Sequence, residues 1–220
     1  MTQKRITLFA GHYGSGKTNI AVNYAVHLKN KGYPVLIADL DIVNPYFRTK
    51  DSEKELMEKG IELVCSDFAN TNLDIPSLPK EMYRAVNDKR YHAVMDIGGD
   101  DAGAIALGRF APFINEESNY EMIFVANFYR PLTRNAEEAF DVMKEIEAAS
   151  SVKFTGIVNN SNLGEITTAE DIVSTFGKAE ELCRLSSLPL LFTTCKDSLY
   201  KSLLKTEKNI FPLKLQSKLF

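Results

Sequence analysis

A lysine and a threonine end a glycine-rich segment near the start of the chain, GHYGSGKT at residues 11–18. The segment matches G-x-x-x-x-G-K-[ST] in full, which average composition produces in roughly one chain of this length in a hundred. Glycines permit a tight turn that points successive backbone N–H groups at phosphate oxygens. Lys17 would place its charge on the outer phosphates, and the Thr18 hydroxyl would bind Mg²⁺. The pattern predicts a phosphate-binding loop.

The predicted nucleotide-binding residues of this loop are contiguous: Gly11, His12, Tyr13, Gly14, Ser15, Gly16, Lys17, Thr18 and Asn19. A dinucleotide site of the Rossmann type is the nearest chemical rival, because Gly14 and Gly16 could begin a G-x-G-x-x-G pattern. Its third glycine is missing, since position 19 is Asn, and Lys17 would bring a charge that such a site does not need. The phosphate loop is therefore favoured.

Three aspartates stand at predicted strand ends after the loop: Asp39, Asp41 and Asp96. Asp39 and Asp41 are two residues apart, so they would face the same way from one strand. Asp96 follows the apolar run HAVM and precedes two glycines, as a Walker B acid does. A single acid here could simply cap a helix or loop, but a nucleoside triphosphate site needs carboxylates near its metal and its attacking water. The predicted metal ligands are Thr18, Asp39, Asp41 and Asp96, and the predicted catalytic residues are Lys17, Asp41 and Asp39.

Short apolar runs alternate with longer amphipathic stretches along the chain, and seven runs are predicted strands: residues 5–11, 34–41, 61–66, 91–100, 120–128, 152–161 and 188–194. Helical spacing predicts helices over 18–31, over 133–149 with Thr133 as N-cap, and over 167–185. This alternation favours a single α/β domain over residues 1–220, with a mostly parallel central sheet of about seven strands flanked by helices. That architecture is the Rossmann-like three-layer sandwich of P-loop NTPases.

The carboxyl ends of parallel strands form one edge of the sheet, where ligands bind. The strand-end residues predicted to share this rim are Gly11, Asp39, Asp96, Asn127, Asn159 and Thr193.

The composition of the 220-residue chain is that of an ordinary globular protein, with 45% hydrophobic and 25% charged residues. A net charge of −3 offers no basic field for nucleic acid. The N-terminal apolar run is too short for a signal peptide, and the tail NIFPLKLQSKLF, short and interrupted by Pro212, is a poor lipid-binding helix. Three dispersed cysteines give no zinc or iron–sulfur spacing. We therefore expect a cytoplasmic protein that uses neither nucleic acid nor membrane.

The segments GHYGSGKT, IADLDIVNP, MDIGGD and IVNN, in this order, resemble the MinD/ParA/nitrogenase-iron-protein group of P-loop ATPases. This MinD/ParA/CobQ-like group, also called the SIMIBI class, includes stand-alone nucleotide-binding proteins, and the resemblance covers roughly residues 4–195. It implies a Mg²⁺-dependent ATPase that acts as a nucleotide-dependent switch on a protein client, with ATP and ADP as ligands.

The resemblance also implies residue roles. Asp41 would position or activate the attacking water, and Asp39 would support it near the metal. Asp96 to Gly99 would form the second switch, and Asn159 would recognise adenine, since an amide can both donate to and accept from a base edge.

His12 departs from the family pattern, because the resembled proteins typically carry Lys there and Gly at the next position, which is Tyr13 here. In the family that lysine reaches the nucleotide of a second copy, so a homodimer stays an open expectation. His12 could replace the lysine, pack on the nucleotide or its own loop, or be solvated. Arg48 and Arg130, on loops of the same rim, could supply positive charge instead.

Other functions remain compatible with a phosphate loop. An ATP-dependent small-molecule kinase or amide-forming ligase would need a second pocket, for which the stretch CSDFANTNLDIPSLP is a candidate. A GTP-binding protein is disfavoured, because NNSN stands where the guanine motif [NT]-K-x-D is expected.

Overall fold

The structure, a computed structural model, describes residues 3–41, 52–65 and 79–215. The strands in this part of the chain are β1 (Ile6–Ala10), β2 (Val35–Leu40), β3 (Glu62–Cys65), β4 (His92–Ile97), β5 (Tyr120–Ala126), β6 (Gly156–Asn159), β7 (Leu190–Lys196) and β8 (Ile210–Leu213). The helices are α1 (Lys17–Asn30), α2 (Glu53–Glu58), α3 (Arg84–Asn87), α4 (Asp101–Gly108), α5 (Ala111–Glu117), α6 (Ala136–Ser150), α7 (Ala169–Val173), α8 (Phe176–Ser186) and α9 (Tyr200–Leu203).

All the described strands belong to one parallel sheet in the order β3-β2-β4-β1-β5-β6-β7-β8. The predicted α/β class is confirmed, with eight strands in the described residues where about seven were predicted. Strand β1 is central, between β4 and β5. The carboxyl ends of β1, β2, β4, β5 and β6 therefore lie along one edge of the sheet.

The sheet is buried on both faces, which explains why its strands are almost continuously apolar. In β1, Ile6 and Leu8 belong to one core cluster and Phe9 to the other. On the Phe9 face, α1 contributes Ile20 and Leu28. Residues of α4, α5, α6 and α8 pack on the opposite face. These two layers fix the strand ends that carry the polar residues.

Two helix predictions needed correction. Thr133 is not an N-cap: α6 begins at Ala136, and the Asn135 side chain accepts a hydrogen bond from the Glu138 N–H at 2.8 Å. The Thr133 hydroxyl instead donates to the Asn127 carbonyl at 2.7 Å. The single helix predicted over 167–185 is two helices, α7 and α8, and the Thr175 hydroxyl between them donates to the Ile172 carbonyl at 2.7 Å, a local bond that competes with helix continuation.

The segment considered as a lipid-binding tail contributes the edge strand β8. The Asn23 side chain on α1 both donates to the Lys214 carbonyl at 3.0 Å and accepts from its N–H at 2.9 Å. Phe211 packs edge-on against His27 with ring centroids 5.5 Å apart. These contacts hold the described part of the tail on α1. Among the described residues no helix is long and apolar enough to cross a membrane.

Candidate functional site

The glycine-rich loop connects β1 to α1 and ends at Gly16, immediately before the first helical residue. Gly16 has φ +89°, a left-handed conformation that side chains disfavour. A Cβ at this position would also lie 2.3 Å from the Asn160 amide nitrogen. Position 16 therefore has to be glycine, for its backbone conformation and for the space around it.

Three carbonyl groups of the loop are held from outside its backbone. The Asn160 amide donates to the Ser15 carbonyl at 2.6 Å, and Arg130 Nε donates to the Gly14 carbonyl at 3.0 Å. Lys17 Nζ donates to the His12 carbonyl at 3.2 Å. The C=O and N–H of a trans peptide unit point in opposite directions, so the bond from Asn160 to the Ser15 carbonyl directs the Gly16 N–H away from Asn160. The geometry is that of a preformed anion cradle at a helix N-terminus.

Lys17 lies in this cradle with 5% of its surface exposed. Burial lowers the pKa of its ammonium group, and the charges of Asp96, Asp41 and Asp100 oppose that shift. The charges of three acids therefore act on the lysine: Asp41 and Asp96 follow or end strands, and Asp100 is the first residue after the glycine pair. A buried ammonium group in this position can attract a phosphate anion.

The register of the sheet places Asp39 and Asp96 directly opposite each other on neighbouring strands. Both are buried, with 5% and 0% exposure. Asp39 accepts a hydrogen bond from the Asp41 N–H at 3.0 Å, which directs the chain as it leaves β2. Two carboxylates side by side repel each other, and a divalent cation removes that repulsion. The structure thus places side by side two acids that the sequence predicted separately.

These residues fit Mg²⁺ in the way that nucleotide sites hold it. The described residues contain no group of three or more His, Cys, Asp or Glu side chains that could hold a metal ion by themselves. Mg²⁺ commonly takes one or two protein carboxylates and completes its shell with phosphate oxygens and water. Thr18, which is 9% exposed in the first turn of α1, is the predicted hydroxyl ligand.

Burial raises the pKa of the Cys195 thiol to about 11, which disfavours a thiolate there.

Gly99 lies directly on the phosphate loop. A Cβ at this residue would be 2.6 Å from Lys17 Nζ and 2.7 Å from the Tyr13 backbone nitrogen. The next residue, Asp100, caps α4 by accepting a hydrogen bond from the Gly103 N–H at 2.9 Å. A phosphate bound between Tyr13 and Lys17 would therefore meet Gly99 and the start of α4.

The amides of Asn159 and Asn160 are used differently. Asn159 is fully buried: its nitrogen donates to Thr175 at 2.9 Å, and its oxygen accepts from both the N–H and the hydroxyl of Ser161. Both acceptor positions of that oxygen are occupied, so adenine recognition by Asn159, which stays a prediction, would require these bonds to break. Asn160 bonds the Ser15 carbonyl and accepts from the Thr194 hydroxyl. Sequence reasoning missed Asn160. Neighbouring residues of an extended segment face opposite sides, so Asn160 could have been expected to contact different groups from Asn159.

This difference predicts distinct phenotypes for two adjacent substitutions. Asn160→Ala should weaken nucleoside triphosphate affinity about tenfold, because the Ser15 carbonyl loses the donor that orients the loop. Asn159→Ala should instead lower the free energy of unfolding by about 1–3 kcal/mol, because Ser161 and Thr175 lose buried partners. Calorimetric titration and urea unfolding measure the two effects. A larger affinity loss for Asn159→Ala than for Asn160→Ala would reverse the assignment.

His12 and Tyr13 form the outer part of the loop. His12 Nδ1 lies 3.0 Å from the Tyr13 carbonyl oxygen, so the ring packs on its own loop, one of the three roles considered for it. The Tyr13 side chain is 54% exposed. Of the two arginines nominated on this rim, Arg130 contacts the loop at Gly14. Arg48 lies outside the described residues, as does most of the stretch proposed as a second pocket.

Solved structures with the same fold support this architecture. The chain matches FtsY from Mycoplasma mycoides with a TM-score of 0.58 and 18% identity over 88% of this chain and 61% of that one. It matches cell division protein FtsY from Thermotoga maritima with a TM-score of 0.62 and 14% identity over 87% and 62% of the two chains. The signal recognition particle 54 kDa protein from Aeropyrum pernix K1, solved in complex with GDP, gives a TM-score of 0.56 and 15% identity over 87% and 41%.

The chain spans less than two thirds of the length of each of these proteins. No protein-family model and no curated protein matches its sequence. At such identities the likeness concerns the fold, which is the α/β fold of P-loop NTPases.

Proposed function

We propose that this protein binds a Mg²⁺–nucleoside triphosphate in the loop of residues 11–18, hydrolyses it, and uses the bound state as a switch on a protein partner. The observation that carries the proposal is the pairing of Asp39 with Asp96 beside the buried Lys17 and the cradle. Phosphates supply the negative charge that Lys17 and the helix N-terminus favour. When bound, Mg²⁺ would supply positive charge that neutralises the phosphates.

The acids have separate roles in this proposal. Thr18 lies in the first turn of α1, and Asp39 and Asp96 lie near the carboxyl ends of β2 and β4. These three residues would hold the metal or its water ligands. Asp41, one residue beyond β2 and 8% exposed, would orient the attacking water and accept its proton. Its N–H bond to Asp39 keeps it next to the metal ligands.

The contact between Gly99 and the loop supports the switch role. A Cβ at Gly99 would lie 2.7 Å from Tyr13 N and 2.6 Å from Lys17 Nζ, and Lys17 is the group expected at the outer phosphates. A triphosphate and a diphosphate would therefore place Gly99 differently, and Asp100 would transmit the change to α4 through its capping bond.

ATP is the proposed nucleotide, because NNSN replaces the guanine motif after β6. Titration of the purified protein with ATP and GTP in the presence of Mg²⁺ should show ATP binding at least about tenfold more tightly. Phosphate release without an added acceptor distinguishes an ATPase from a kinase or ligase. GTP binding as tight as ATP binding would overturn the choice of nucleotide, and no binding of either would overturn the whole proposal.

A further inference from the structure

Arg130 follows β5 and holds the phosphate loop through one of its five N–H donors. Its Nε donates to the Gly14 carbonyl at 3.0 Å, and the side chain is partly exposed. Among the described residues no carboxylate forms an ion pair with this guanidinium. The four N–H groups on its two terminal nitrogens are therefore available to a ligand at the loop.

The turn that carries Arg130 is held at several points. The Arg130 N–H donates to the Asn127 carbonyl at 3.1 Å, and the Thr133 hydroxyl donates to the same carbonyl at 2.7 Å. The Tyr129 hydroxyl donates to the Asp171 carbonyl on α7 at 2.9 Å. These bonds fix the backbone of the turn, and the bond from Nε to the Gly14 carbonyl restrains the Arg130 side chain, so less conformational freedom is lost when Arg130 meets a ligand.

Leu132, two residues further on, has φ +65° although it is not glycine, and its side chain is 61% exposed. This conformation is unfavourable for a residue with a side chain, and burial of the leucine does not offset it. Such strain persists where the surroundings hold the backbone in one arrangement, and it clusters at ligand sites. Here it belongs to the turn that points Arg130 at the loop.

We infer that Arg130 contacts the phosphates of the bound nucleotide and stabilises the charge that develops during hydrolysis. Nε stays on the Gly14 carbonyl while the terminal N–H groups donate to phosphate oxygens. In that reaction a water oxygen bonds to the γ phosphorus, the bond from that phosphorus to the bridging oxygen breaks, and the bridging electron pair stays on the diphosphate. The water proton passes to Asp41. This inference rests on the proposed function. Arg130 would supply the positive charge from the same chain that carries the phosphate loop.

Two substitutions separate charge from loop support. Arg130→Gln can still donate a hydrogen bond to the Gly14 carbonyl but carries no charge, whereas Arg130→Ala loses both. Both variants should bind the diphosphate–aluminium fluoride complex, a mimic of the transferring phosphate, at least about tenfold more weakly, and should release phosphate about 10²-fold more slowly. Affinity for the diphosphate alone should change less than about threefold. Arg134→Ala, an exposed arginine of the same connection, should behave as wild type.

The measurements are calorimetric titrations and phosphate release on the full chain. Wild-type behaviour of Arg130→Gln would overturn the inference and leave Arg130 as a support of the loop. The same conclusion holds if Arg130→Ala lowers the affinity for the diphosphate and the affinity for its aluminium fluoride complex by the same factor. A wild-type protein that binds neither ATP nor GTP would overturn the proposed function and this inference together, whereas an active wild type with unaffected Arg130 variants would overturn this inference alone.

Discussion

Lys17→Ala should lose nucleoside triphosphate binding, with affinity falling by more than about 100-fold in a calorimetric titration at neutral pH. The Lys17 ammonium group is buried in the cradle and shares its surroundings with Asp96, Asp41 and Asp100. Without it, an incoming triphosphate would face these carboxylates with no compensating charge in the loop. Leaving a buried charge without its partner commonly costs about 3–5 kcal/mol, which is more than this loss of affinity requires.

Two further variants make the Lys17 result interpretable. Lys17→Met keeps most of the buried volume without the charge, so it should bind as poorly as Lys17→Ala while remaining folded by circular dichroism. Lys31→Ala removes an exposed lysine just after the same helix and should leave binding unchanged. Triphosphate affinity within about threefold of wild type in Lys17→Met would contradict the assignment of residues 11–18 as the phosphate site.

Asp41→Asn should separate binding from hydrolysis. We expect triphosphate affinity to stay equal to wild type or to increase, because a negative charge near the phosphates is removed. Phosphate release should slow by about 10²–10³-fold, since an amide cannot take the proton of the attacking water. The amide has nearly the shape of the carboxylate, and the Asp41 backbone keeps its bond to Asp39. Steady-state phosphate release with saturating Mg²⁺ and ATP measures this effect.

Asp141→Asn is the matched control for Asp41→Asn. Asp141 lies on α6, where its exposed carboxylate pairs with Lys144 in an i,i+3 arrangement. The same chemical change there should alter neither binding nor hydrolysis, because exposed ion pairs contribute little. A normal turnover rate for Asp41→Asn would remove Asp41 from the hydrolytic role and would direct attention to Asp100, the next acid near Lys17.

Local patterns predicted the scaffold well where a strand was buried and was followed by polar residues. Each predicted strand has a counterpart in the sheet, because continuous apolar runs of this length suit parallel strands buried on both faces. The ends of helices were less predictable. Asn135 rather than Thr133 caps α6. The Thr133 hydroxyl instead donates to the carbonyl of Asn127, six residues earlier in the chain. The strand β8 was missed because Pro212 interrupts its pattern, and proline is tolerated at a sheet edge.

The sequence by itself determined the phosphate loop and the acids at strand ends, because both depend on residue types at fixed local spacing. Only the tertiary structure decided which of these residues meet. Asn160 reaches Ser15 across 145 positions, and Arg130 reaches Gly14 across 116. The pairing of Asp39 with Asp96 likewise depends on β2 lying beside β4. Strand order and register arise from the packing of the whole sheet, and no local pattern encodes them.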